Sequence, residues 1–264
     1  MRRTSTGLKL LTALVFVFLY LPLGAVALFS FNDSQYSVAW QGFTTRWYGE
    51  MLQNEAILNA VGNTVVLAVS STVIATLLGT LLAFGLARYR FRAKPLVQSA
   101  LFLPIITPDI VIALSLLLFY KFVRQYTGLF ELGMTTMIIA HVTFQVAFVT
   151  VVVRSRLALL DPALEEAARD LYASSWQNFR YVTLPLMTPG ILAGALLAFT
   201  LSVDDFVISF FTSGTGSTTL PILIYTSVRR GITPDINAIS TVIIAVTIVL
   251  VFAANYAASR RKPA

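Results

Sequence analysis

Six apolar stretches set the outer limits on this fold. They lie near 10–31, 59–87, 96–120, 133–153, 188–211 and 236–257. Each reaches the roughly 20 residues that an α-helix needs to cross a hydrocarbon core of about 30 Å. The first, fourth and sixth carry no charge; Asp109 interrupts the third, and Asp204 and Asp205 the fifth. The chain is 57% hydrophobic and 12% charged, against about 25% charged in soluble domains. No single core of this size needs so much apolar surface, so the solvent for most of it is lipid. Arg2, Arg3 and Lys9 precede the first stretch, and Ala25-Val26-Ala27 resembles a signal-peptidase site. The apolar run nevertheless continues through Phe31, which reads as an uncleaved anchoring helix.

Charge gives the orientation. Alternate connections divide Lys and Arg unequally. One side holds fourteen, in Arg2, Arg3, Lys9, the Arg88–Lys94 turn, Arg154, Arg156, Arg169, Arg180 and the Arg260–Lys262 tail. The other holds Arg46, Lys121, Arg124, Arg229 and Arg230. The richer side is expected to be cytoplasmic, with both termini there. The net charge of +7 then reflects membrane topology and calls for no nucleic acid. Trp40, Trp47 and Tyr48, in the outer 32–58 connection, suit an interfacial belt. With no cysteine in the chain, disulfides and Cys metal sites are excluded.

The connection between the fourth and fifth stretches is unlike the rest. Asp161-Pro162 reads as N-cap and first helical residue, with Glu165 and Glu166 where the helix dipole favours acid. That helix should run to about Leu171. Ser174 with Gln177 forms a capping box for a second helix. Trp176, Phe179 and Val182 should make an apolar stripe on it. Leu184-Pro185 should end it, since a residue before proline leaves the α region. Paired caps and an apolar stripe point to a docking hairpin, although an ordinary connection between spans is the plainer alternative.

Glu166–Pro185, EAARDLYASSWQNFRYVTLP, resembles the EAA loop of ABC importer permeases, whose pattern is E-A-A, three residues, G, nine residues, I-x-L-P. Val182 stands for the Ile and Tyr172 for the Gly. The resemblance implies an all-α polytopic membrane protein with six transmembrane helices and the type I importer (MetI-like) permease fold. It implies one permease domain over 1–264, with a coupling loop at about 156–187 that seats in a separate ATPase. The residues it assigns to coupling are Glu166, Ala167, Ala168, Asp170, Tyr172, Phe179, Leu184 and Pro185. Tyr172 takes the place of a glycine that favours positive φ, so a turn of different geometry is expected. Lys9, Lys94, Lys121 and Lys262 are the lysines, and none follows a glycine. A standard phosphate-binding loop is therefore absent. The chain is expected to hold no cofactor and to be no enzyme, with ATP and Mg²⁺ bound by the partner ATPase.

Three of the twelve acids fall inside predicted spans: Asp109, Asp204 and Asp205. An acid at bilayer centre costs roughly 2.5–3.5 kcal/mol on insertion scales, so such residues face a cavity or a partner. Asp109 and Asp204 lie about 13 and 16 residues into spans that run the same way, hence at similar height, roughly 20–25 Å from the cytoplasmic end. Asp204 and Asp205 point about 100° apart on a regular helix. A cation-attracting stretch of a translocation path competes here with helix-end acids or structural hydrogen bonds. Phe206, Phe210 and Tyr225 could add cation–π contact. Pro104 and Pro108 should kink the third span just before Asp109. His141, the only histidine, reads as a buried interhelical hydrogen bond. Gly214–Ser217 reads as a turn.

Phe199–Ala238, Leu103–Leu117 and Trp40–Tyr48 are similar to spermidine/putrescine permeases of the PotC type. That resemblance implies polyamine import across the bacterial inner membrane. It also implies a PotB-like second permease, a PotA-like ATPase homodimer and a PotD-like periplasmic polyamine-binding protein, docking on the outer loops 32–58 and 212–235. The residues alone leave other readings open: a permease for another small cationic or polar solute, an ion-coupled secondary transporter, a scaffold or an intramembrane enzyme. The last lacks a nucleophile with a candidate base.

Overall fold

The computed structural model describes residues 6–34, 39–231 and 233–260. Arg2, Arg3, Arg261 and Lys262 of the orientation count lie outside the described residues, as do 35–38 of the 32–58 connection. The described chain is helical, with a single isolated antiparallel bridge, Asn32 to Phe43. In order, the helices are α1 (Thr6–Phe29), α2 (Arg46–Gln53), α3 (Glu55–Arg88), α4 (Lys94–Ile106), α5 (Asp109–Thr127), α6 (Met134–Ala158), α7 (Pro162–Asp170) and α8 (Ser175–Asn178). A π-helical turn (Phe179–Thr183) then leads into α9 (Leu184–Val203), followed by α10 (Val207–Thr212), α11 (Leu220–Arg230) and α12 (Pro234–Arg260).

Among the described residues, five helical runs are long and apolar enough to cross a membrane: α1, α3, α5, α6 and the continuous run Ser175–Val203. The apolar helix α4 and the apolar part of α12, Pro234–Val249, complete the pattern. Two expected spans are broken. The third divides at Thr107-Pro108, where Thr107 is extended (ψ 134°) because the proline ring excludes the α region from the residue before it. The fifth divides at Asp204–Phe206, between α9 and α10.

The chain forms two compact units, residues 59–222 and residues 1–58 with 223–264. In the first, α6 is the central element. It packs on α9 through Val149, Val153, Leu157, Met187 and Ala198. Glycines let the backbones approach. A Cβ on Gly190 would lie 2.6 Å from Arg156 Cβ, and one on Gly79 2.7 Å from Val149 Cβ. In hydrocarbon, where apolar contact alone gives little drive for helices to associate, such close packing holds helices together. Gln145 Nε2 donates to Ala198 O at 3.1 Å, and Thr150 Oγ1 to Gly79 O at 3.3 Å, across the same interfaces. A second cluster joins Ala113, Ala140, Phe144 and Ile208, from α5, α6 and α10. Gly214, in the expected turn, could be no other residue: its Cβ would sit 1.8 Å from Leu132 O.

In the other unit, α1 has no buried residue, as befits a lipid-facing anchor. Trp47 is not interfacial, contrary to expectation. It is buried, and its Nε1 donates to Asn32 O at 2.7 Å. Asn32 also donates to Ala39 O and accepts from Gln41 N. Tyr48 is half-buried with its hydroxyl 2.8 Å from Ser30 Oγ; only Trp40 of the three is exposed. Segment 212–235 is likewise no open loop, since half of it is the helix α11.

Candidate translocation and coupling sites

Asp109, Asp204, Asp205 and Phe206 line one cavity of about 310 Å³. Two helix breaks place them there. Asp109 is the first residue of α5, immediately after the Pro108 break, where the α5 dipole favours its charge. Asp204 closes α9. The helix breaks bring both acids to one cavity. Broken helices at membrane depth occur where backbone lines a cavity or is buried in protein.

The two neighbouring aspartates differ sharply. Asp205 is 9% exposed. Its Oδ2 accepts from Ser209 N at 2.7 Å and its Oδ1 from Ile208 N at 3.2 Å, which satisfies the first turn of α10. Asp204 is exposed to the cavity, as is Asp109. The wall opposite comes from Phe144 and Phe148 on α6, with rings 6.3 Å apart. The sequence reading missed both; their one signal is the four-residue spacing that stacks them on one face of a predicted span. The Phe210 ring lies 5.3 Å from that of Phe206, tilted by 36°, but does not line the cavity. Tyr225 belongs to the other unit, where the Arg229 guanidinium lies 4.9 Å from its ring.

The hairpin follows its capping signals. Asp161 accepts from Ala163 N at 3.0 Å, and Ser174 and Gln177 form the reciprocal box. Tyr172 adopts φ 58°, so the turn keeps the left-handed geometry of a glycine, against expectation. Tyr172 is 96% exposed, so the side chain adds no packing clash to the backbone's own strain. Leu184-Pro185 does not end the helix either. Pro185 has no N–H for the Tyr181 carbonyl, and the chain absorbs the defect in a π turn, with Leu184 N donating to Phe179 O. Helix therefore continues from Ser175 to Val203, directly into the span that ends at Asp204. The expected apolar stripe holds in part. Trp176, though exposed, keeps its ring 5.8 Å from that of Phe179, which packs edge-on at 5.1 Å against Phe84, while Val182 faces a separate groove.

The glutamates divide as the aspartates do. Glu165 is buried and bonded to Arg88 and Thr183. Neither partner was legible, because Arg88 lies at the far end of α3. Glu166 and Asp170, one turn apart on α7, are exposed. Ala167 and Pro185 are exposed, and Ala168 and Leu184 are half-buried. Ala167, Ala168 and Pro185 line a shallow groove with Leu164, Leu171 and Val182. Leu164, Leu171, Tyr172, Trp176 and Tyr181 together expose a large apolar surface on this small knob.

Residues 75–261 match the family described as binding-protein-dependent transport system inner membrane component. The chain belongs to that family. It is 43% identical over 247 residues to the putrescine transport system permease protein PotI of Escherichia coli (strain K12), covering 93% of this chain and 88% of the relative. It is 40% identical over 241 residues to the spermidine/putrescine transport system permease protein PotC of the same strain, covering 91% and 89%. Its fold is that of a bacterial ABC transporter involved in the import of the acidic polysaccharide alginate, with a TM-score of 0.74 at 20% identity over 97% of this chain and 95% of that one. This is the all-α, MetI-like permease fold of an inner-membrane protein that crosses the bilayer several times.

Proposed function

We propose that this chain is the permease subunit of an ATP-driven polyamine importer, forming part of the solute path and coupling it to a separate ATPase. The observation that carries the solute class is the cavity, in which two open carboxylates, Asp109 and Asp204, face Phe144, Phe148 and Phe206. A flexible polycation needs spaced negative charge together with aromatic faces, and a half-dry lumen strengthens both attractions. The relatives named for putrescine and spermidine transport agree with that chemistry.

The coupling half of the reading rests on the hairpin. Exposed apolar side chains ringed by Glu166 and Asp170 suit a protein partner. That partner is a PotA-like ATPase homodimer, which binds the ATP and Mg²⁺. The exposed Glu166 meets a basic group there. Because helix runs unbroken from Ser175 to Val203, displacement of the hairpin moves the inner end of α9 as one rigid element. The Asp204 end then shifts with it. A PotB-like permease completes the path, a PotD-like binding protein docks outside, and both termini lie in the cytoplasm.

The test is uptake of labelled putrescine and spermidine into proteoliposomes holding the full complex, with ATP inside and binding protein outside. ATP-dependent uptake of either supports the reading. Uptake that persists without ATP under an ion gradient, or is confined to neutral solutes, contradicts it.

A further inference from the structure

Asp205 is held from two sides. His141, fully buried on α6, places Nε2 3.3 Å from Asp205 Oδ2 and 3.0 Å from Ser209 Oγ. Its Nδ1 lies 2.8 Å from Ser202 Oγ, which is 3.2 Å from Ser71 Oγ. An ionised carboxylate only accepts. Nε2, which faces it, therefore carries the ring proton, and Nδ1 receives the Ser202 hydroxyl. Ser202 in turn accepts from Ser71. Donation runs one way, Ser71 to Ser202 to His141 to Asp205, and joins α3, α9, α6 and α10. A neutral imidazole satisfies every contact.

We infer that His141 is a positioning residue for the cation site, acting through Asp205. It pins that carboxylate to the first turn of α10, fixes the α9–α10 break and leaves Asp204 as the member of the pair that meets solute. The inference rests on reading the cavity as the polyamine path. Without the imidazole, Asp205, which already borders the cavity, keeps the Ile208 and Ser209 amides and the Ser209 hydroxyl but loses its contact from α6, and can turn further into the lumen. The site would then present a third, mobile charge. His141 also packs edge-on at 5.6 Å against Phe144, so the same ring sets one aromatic wall.

The inference is tested on the full transport complex with His141→Phe, His141→Gln, Asp205→Asn and the two doubles. Phe keeps bulk and loses both hydrogen bonds. Gln can place an N–H close to the position of Nε2. Hydrogen exchange at the Ile208 and Ser209 amides is read first, without solute. Exchange should rise about tenfold in His141→Phe and stay within about threefold of wild type in His141→Gln. Putrescine uptake should fall about tenfold and be rescued in parallel. Adding His141→Phe to Asp205→Asn should cost less than about twofold more, since the residue acts through that carboxylate. Unchanged exchange in His141→Phe, failure of Gln to rescue, or independent effects in the double overturns the inference. Should His141→Phe not assemble, the Gln double with its two singles decides by the same criterion. A wild-type complex that imports no polyamine overturns the path reading instead and leaves the exchange result standing.

Discussion

The hairpin and the cavity each carry two consecutive acids, and in both the pair is divided between structure and surface. In the hairpin, Glu165 is buried against Arg88 and Thr183 while its neighbour Glu166 faces out. In the cavity, Asp205 is bonded into the start of α10 while Asp204 faces the lumen. On α7, consecutive residues point about 100° apart; in the cavity pair the break between α9 and α10 does the dividing. The environments differ, however. The hairpin pair lies in a soluble-like knob, where its buried member takes a full countercharge. The cavity pair lies at the end of a helix long and apolar enough to cross a membrane. There the buried member is met by backbone amides and an imidazole, with no arginine or lysine bound to it among the described contacts.

The comparison is sharpest when one member of each pair is removed. Glu165→Ala leaves the Arg88 guanidinium, itself only partly exposed, without its carboxylate. Loss of a partner from such a pair costs about 3 kcal/mol. The hairpin should become protease-sensitive between 159 and 183, and thermal unfolding of the complex should move down by several degrees. Glu166→Lys should leave that digestion pattern unchanged and abolish co-purification of the ATPase. If both substitutions behave alike, the division within this pair is wrong. Asp205→Asn removes the charge from an amide-bonded cap, a loss of about 1–2 kcal/mol. It should accelerate hydrogen exchange in α10 more than Asp204→Asn does. Tyr172→Gly has the smallest expected effect and the opposite sign. Removing a side chain from φ 58° should stabilise the turn by about 1 kcal/mol and leave uptake unchanged. A destabilised Gly variant would mean that the tyrosine side chain makes a contact that outweighs its backbone strain.

Much of the fold was legible because lipid imposes simple rules. Span length and the caps at Asp161 and Ser174 are local signals. That Asp109 and Asp204 line one cavity agrees with the positions that helical rise gives them in their spans. What escaped depends on partners distant in sequence or on how the chain absorbs a defect. Nothing near Glu165 announces Arg88, and nothing near Asp205 announces His141, which lies 64 residues earlier. Proline at 185 signalled a helix end, yet a single π turn let the helix continue. Tyr172 signalled a different turn, yet the backbone there is left-handed, and its exposed side chain adds no clash of its own. Trp47 had the composition of an interfacial residue, but Asn32 offered its indole a buried acceptor. In each case local propensity was overruled by one specific hydrogen bond or by the absence of a clash.

The central claim is that the lumen reads positive charge through Asp204. The most direct measurement is ATP-dependent putrescine uptake by the reconstituted complex carrying Asp204→Asn, alongside its ATPase co-purification and hydrogen exchange. The account predicts uptake reduced by about tenfold or more, with assembly and α10 protection as in wild type. Wild-type uptake by that variant would contradict it.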